Sequence, residues 1–248
     1  MPVTSRLDAG GVRVVTFSTP AHNSLPAAEL ADLAAAIDLG GRDADTRVIV
    51  LASGGDRTFC AGASFEELRA VRTEAEGQAF FSGFARVINA MRTCPRVIVG
   101  RVQGKAVGGG VGLVAACDIA YATEFASVRL SELAIGIGPF VIAPAVERKV
   151  GLASYAEMAL RPDEWFGAAY AKTHGLYTEV VEDGDALSEA VLAKARQLAS
   201  FHPEALTEFK RSLWEGAEDW DEKLAARAAI SGRLVTRAIA QEALARLS

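Results

Sequence analysis

Four short runs of apolar, largely β-branched residues mark the first half of the chain, at positions 12–17, 48–51, 97–102 and 119–121, each bounded by polar residues or glycine. Branched side chains suit a pleated surface, so these runs predict strands. Helical stretches alternate with them. The segment 26–39 is predicted to start after Asn23 and Ser24, which can cap free N–H groups, with Pro26 early in the helix and Gly40-Gly41 just past its end. The run 48–51 leads through a loop to a helix over 65–71, and 97–102 leads through Gly104 to a helix near 110–117.

From Gly151 onward strand patterning fades, and segments 186–200, 203–214 and 220–247, rich in Ala, Leu and Glu, follow at helical period. The shift predicts an α/β core over 1–195 and a helical C-terminal region over 196–248. The returning strand–loop–helix units suggest a spiral of similar turns.

Composition narrows the classes. With 248 residues, 50% of them hydrophobic and 23% charged, the chain can bury a sizeable core and is not expected to be disordered. A net charge of −5 with no run of Lys or Arg leaves no electrostatic footprint for nucleic acid or an anionic membrane. Cys60, Cys94 and Cys117 lack C-x-x-C spacing, and His22, His174 and His202 show no ligand spacing, so neither a disulfide framework nor a metal site is predicted. Lacking a long apolar run and a basic stretch ahead of an apolar one, the chain is expected to be cytoplasmic and without membrane contact.

Two loops carry candidate chemistry. The first, Arg57-Thr58-Phe59-Cys60-Ala61-Gly62-Ala63-Ser64, has small residues that let its backbone lie close to a ligand, although alone it reads as an ordinary tight turn. In the second, Gly108-Gly109-Gly110 opens a helix, where free N–H groups and the positive end of the macrodipole favour a developing negative charge. A phosphate loop is excluded because no Ser or Thr follows Gly104-Lys105 and position 99 is Val. A dinucleotide fingerprint fails at Leu113, where the third glycine belongs. There is no G-x-S-x-G nucleophile elbow either.

The segments Phe59-Cys60-Ala61-Gly62-Ala63, Gln103-Gly104-Lys105-Ala106-Val107-Gly108-Gly109-Gly110 and Ala116-Cys117-Asp118-Ile119 resemble the two signature regions of the crotonase (enoyl-CoA hydratase/isomerase) superfamily. His22-Asn23-Ser24-Leu25, Leu130-Ser131-Glu132 and Gly175-Leu176-Tyr177-Thr178-Glu179-Val180-Val181 extend the likeness over about positions 10–215, with a similarity to methylglutaconyl-CoA hydratase-like members around Gly136–Pro144. The resemblance implies an α/β spiral of ββα turns, an acyl-CoA thioester as substrate with no separate cofactor, and a homotrimer or homohexamer built through the helical C-terminal region.

It also implies roles. The backbone N–H groups of Ala63 and Gly109 would form an oxyanion hole for the thioester carbonyl, where losing one donor costs about 2.7–4 kcal/mol of barrier. Ala61, Ser64 and Phe65 would neighbour the CoA moiety, with Ser64 replacing the usual Asp and Glu66 a frequent Lys, and Gly108 and Phe140 would border the acyl group. Glu132 matches the second of the two glutamates of family hydratases and is the candidate acid/base, with Leu133, Ile135 and Phe140 as neighbours able to raise its pKa. The position of the first glutamate is Gly112. Hydration assisted by Glu132 alone and a single-base double-bond shift therefore stand level, with thioester hydrolysis, decarboxylation and non-catalytic acyl-CoA binding as alternatives. Trp214 and Trp220 are expected to pack helices, His174 beside Gly175 to end one, and Lys210 to be solvated, with a CoA phosphate as its other possible contact.

Overall fold

The computed structural model describes residues 2–246. Strand β1 (Val3–Leu7) pairs antiparallel with β2 (Val12–Phe17), which runs parallel to β3 (Val48–Ser53). Parallel pairing then continues through β5 (Val97–Val102), β7 (Ile119–Thr123) and β10 (Glu179–Val181), giving one six-stranded sheet in the order β1-β2-β3-β5-β7-β10. Three-residue strands β4 (Thr58–Cys60), β6 (Lys105–Val107) and β8 (Ser127–Arg129) pair parallel in a second sheet, which the two-residue β9 (Phe166–Gly167) closes in antiparallel sense. The chain therefore visits the large sheet, then the small one, then a helix, three times over. That repetition is the crotonase-like α/β spiral of ββα turns.

Helices complete each turn: α1 (Ala27–Arg42) after β2, α2 (Phe65–Ala70) and α3 (Glu74–Thr93) after β4, and α4 (Gly109–Ala116) after β6. A 3₁₀ turn (Glu132–Ile135) and α5 (Ala143–Leu160), which bends at Gly151, follow β8. Next come α6 (Ala168–Thr173), α7 (Gly184–Ala199), α8 (Pro203–Leu213), α9 (Trp220–Val235) and α10 (Ala238–Arg246).

The period-two geometry of the central strands sorts the core. Val48 and Val50 face α7, packing with Val97, Val99, Leu187 and Val191, while Ile49 and Leu51 face the main core with Ile98, Leu33 and Ile88. Buried on both faces, these strands read as continuous apolar runs, which is why they were visible in sequence.

Several expectations need correction. Helix α1 begins after Pro26, and neither Asn23 nor Ser24 caps it; it also runs through Gly40 and Gly41 to Arg42. Those glycines serve close packing instead, since a Cβ on Gly40 would lie 2.8 Å from the Arg13 side chain and one on Gly41 3.1 Å from Cys94 Sγ. The segment 220–247 is two helices, broken between Val235 and Ala238, with Leu247 outside the described residues. The division at 195/196 falls inside α7, which covers a face of the large sheet.

Lys210 is buried rather than solvated. Its ammonium sits 3.0 Å from Asp118 and donates to the carbonyls of Met91 and Arg96 at 3.0 and 2.8 Å. Asp118 also accepts from Ile98 N–H at 2.7 Å and Trp214 Nε1–H at 3.0 Å, so this carboxylate ties α8 to the sheet. Trp214 and Trp220 meet edge-to-face, and His174 ends α6. All three cysteines are buried and free, no three His, Cys, Asp or Glu side chains cluster as metal ligands among the described residues, and no described helix is long and apolar enough to cross a membrane.

Candidate active site

The first loop is held against the segment 22–25 by alternating backbone bonds. Ala61 N–H donates to His22 O at 3.2 Å, Leu25 N–H to Gly62 O at 2.8 Å, and Ser64 N–H to Leu25 O at 3.2 Å. Strand-like alternation turns the intervening Ala63 N–H the other way, and among the described residues it has no protein acceptor. Asn23 anchors this segment, its amide donating to Gly54 O at 2.7 Å and Thr58 O at 2.8 Å.

The second loop meets the first at Gly62. With φ at +91°, Gly62 points its missing side chain at Val107 O, 3.0 Å from an ideal Cβ, and at Gly109 N, 3.8 Å away. A side chain there would push the loops apart. Gly109 is the first residue of α4, and its N–H likewise has no protein acceptor among the described residues. A Cβ on Gly109 would lie 2.4 Å from the Phe84 ring, and one on Gly110 2.6 Å from Cys60 O, so α4 is seated directly on α3 and on the first loop. Gly108, at φ +51°, leaves room for Glu132, whose Oε1 would stand 2.8 Å from a Cβ at this position.

These elements wall a cleft of about 650 Å³, part of it open to solvent. Ala61, Ala63, Phe65, Gly108, Gly109, Glu132 and Phe140 all line it. Ser64 does not; its hydroxyl accepts from Glu67 N–H at 3.3 Å and caps α2. Three functional candidates come from α3, which sequence reading passed over: Phe80, Phe81 and Phe84. The signal was present in Thr73-x-x-Glu76, which forms a reciprocal capping box ahead of the apolar positions Phe80, Phe84, Ile88 and Met91.

Glu132 starts the 3₁₀ turn that follows β8, and Gly136 in the left-handed region closes that turn against Ile239 and Ala240 of α10. Glu132 is half-buried and lines the cleft, and its Oε2 is buried with no hydrogen-bond partner among the described residues. Desolvation pushes its pKa up from 4.5 to about 7, opposed only by its own N–H. Of the neighbours expected to cause this, Ile135 and Phe140 line the cleft, whereas Leu133 is 42% exposed and does not line it.

The place of a second carboxylate is filled. A Cβ on Gly112 would lie 2.4 Å from Ile142 Cγ2, and Ile142 itself lines the cleft. Glu132 is thus the one ionisable side chain among the described cleft-lining residues.

A spiral of ββα turns that brings two unpaired main-chain N–H groups and a desolvated carboxyl to one apolar cleft defines a crotonase-class protein. The chain belongs to the enoyl-CoA hydratase/isomerase family, whose model matches residues 8–245. It is 31% identical, over 86% of its length and 84% of the relative's, to a (7aS)-7a-methyl-1,5-dioxo-2,3,5,6,7,7a-hexahydro-1H-indene-carboxyl-CoA hydrolase of Mycobacterium tuberculosis. It is 32% identical, over 79% of its length and 63% of the relative's, to methylglutaconyl-CoA hydratase of Rattus norvegicus. It also superposes on an enoyl-CoA hydratase from Mycobacterium avium with a TM-score of 0.87, at 28% identity, covering 99% of this chain and 95% of the other.

Proposed function

We propose that the protein shifts a carbon–carbon double bond in an enoyl-CoA thioester, with Glu132 as the single proton carrier. The observation that carries this reading is the filling of the Gly112 site by Ile142, which leaves one carboxyl to do all the proton transfer. Hydration by the two-glutamate scheme needs a second group to hold and activate water, while a 1,3-proton shift needs one base that takes a proton and returns it elsewhere.

In the proposed sequence the thioester carbonyl of a 3-enoyl-CoA accepts hydrogen bonds from Ala63 and Gly109 N–H. Ionised Glu132 removes a proton from C2, and the electron pair moves onto the carbonyl oxygen as a dienolate. The two donors and the start of α4 stabilise that charge in a water-poor cleft. Protonated Glu132 then delivers the same proton to C4, the oxygen charge returns, and the conjugated 2-enoyl-CoA leaves. A pKa near 7 suits both halves, since neither protonation state is costly at neutral pH. A relative named Delta(3,5)-Delta(2,4)-dienoyl-CoA isomerase in Homo sapiens, 29% identical over 69% of this chain and 56% of its own length, supports this class of reaction.

The test is incubation of purified protein with 3-enoyl-CoA, followed by chromatography of the products. Conjugated 2-enoyl-CoA is the expected outcome. Accumulation of 3-hydroxyacyl-CoA would convert the assignment to hydration, release of free CoA to thioester hydrolysis, and tight binding without turnover to a carrier role.

A further inference from the structure

Among the described cleft-lining residues, two have a buried side-chain polar atom with no hydrogen-bond partner: Glu132 at Oε2 and Ser231 at Oγ. The first has its role in proton transfer. The second stands on α9, is 1% exposed and takes no part in the reaction. A helical serine without an outside partner ordinarily donates back to the carbonyl one turn earlier, and Ser231 does not. Leaving a buried hydroxyl unpaired costs about 1–3 kcal/mol, which a residue serving only to fill space would avoid by being alanine.

The position of Ser231 along the cleft follows from α3. Gly109 packs on Phe84, and Gly232, beside Ser231, packs on Gly77, where a Cβ on Gly77 would lie 2.7 Å from the Gly232 backbone. At about 1.5 Å of rise per residue, Gly77 and Phe84 are separated by roughly 10 Å along the helix axis. Ser231 thus lines the cleft toward the Gly77 end of α3, with Gly109 set against the Phe84 ring and Phe80 and Phe81 lining the same cleft. No Lys, Arg or His lines the described cleft, so an ionised carboxylate on the acyl group would be desolvated there without a counter-ion.

Building on the isomerase reading of this site, we infer that the acyl group is a medium-length chain or ring system carrying one uncharged oxygen, a ketone or hydroxyl, which hydrogen-bonds Ser231 at the far end of the cleft. Ser231 is then a specificity-determining residue, distinct from the reaction centre.

The experiment compares trans-3-decenoyl-CoA with the same ester bearing a ketone next to the chain end, in wild type and Ser231→Ala, reading kcat/KM for the double-bond shift. Equilibrium Kd values for the two saturated analogues are measured in parallel. Wild type is expected to prefer the oxo ester by about tenfold in both readouts, the size of one neutral hydrogen bond. In Ser231→Ala that ratio is expected to fall to about one. Equal treatment of both esters by wild type, or a preference that survives in Ser231→Ala, would overturn the inference. A Kd preference that depends on Ser231, in a protein that shifts no double bond, would uphold the inference while rejecting the isomerase reading. An ester bearing a chain-end carboxylate should bind worst, and tight binding of it would count against a neutral acyl group.

Discussion

Asp118 and Glu132 lie 14 positions apart in sequence, and both carboxyls are withdrawn from water, yet they live in opposite circumstances. Asp118 answers to Lys210, Ile98 N–H and Trp214, so both of its oxygens are bonded. Glu132 has an oxygen with no partner and a pKa lifted toward neutrality. A saturated buried carboxylate fixes architecture, because any change in its charge breaks several bonds together. An unsaturated one, with its pKa raised toward neutrality, can both take and give a proton near pH 7. Burial alone therefore does not single out a candidate acid; burial without partners does.

The largest expected effect tests the reactive side of this contrast. Glu132→Gln should lower kcat for the double-bond shift by about 10²–10⁴ while leaving circular dichroism unchanged, and full activity would break the comparison outright. On the structural side, Asp118→Ala leaves Lys210 in the core without its carboxylate partner, which should cost about 3–5 kcal/mol in urea unfolding. A loss of activity without loss of stability in that variant would reverse the two roles.

A third expectation concerns pH. Because the folded pKa of Glu132 lies above its unfolded value, the folded protein holds the extra proton between pH 4.5 and about 7, and stability falls as pH rises through that window. Above it, Glu132→Gln should be the more stable protein by about 3 kcal/mol, and below pH 4.5 the two should converge. For wild type, kcat/KM limited by proton removal should rise with an apparent pKa near 7. The smallest effect belongs to the missing second carboxylate. Gly112→Ala should cost about 1–3 kcal/mol through its clash with Ile142. The pair Gly112→Glu with Ile142→Ala should add a trace of 3-hydroxyacyl-CoA to the products.

The sequence disclosed some of this better than the rest. Strands β3, β5 and β7 were legible because burial on both faces writes a mostly apolar run, β2 through its valines, and α4 because three glycines announced its start. Strands β4, β6 and β8 were not, since three residues are too few to show a period. Gly40-Gly41 looked like a helix stop, but these glycines answer to Arg13 and Cys94, residues far away in the chain. Lys210 misled for the same reason: its partners at 91, 96 and 118 are assembled only by folding. Resemblance brought out Glu132, Ala63 and Gly109, but nothing local distinguishes Ser231 from any other helical serine. Its singularity is a property of what does not surround it.

The glycine-to-glycine crossing of α3 and α9 sets how near the Ser231 wall stands to the phenylalanine wall. Enlarging either glycine by a methyl group would pry the helices apart and deepen the chamber, while the reaction centre rests on other loops. If Ser231 selects the acyl group as proposed, this single point of backbone contact would tune substrate choice without touching Glu132.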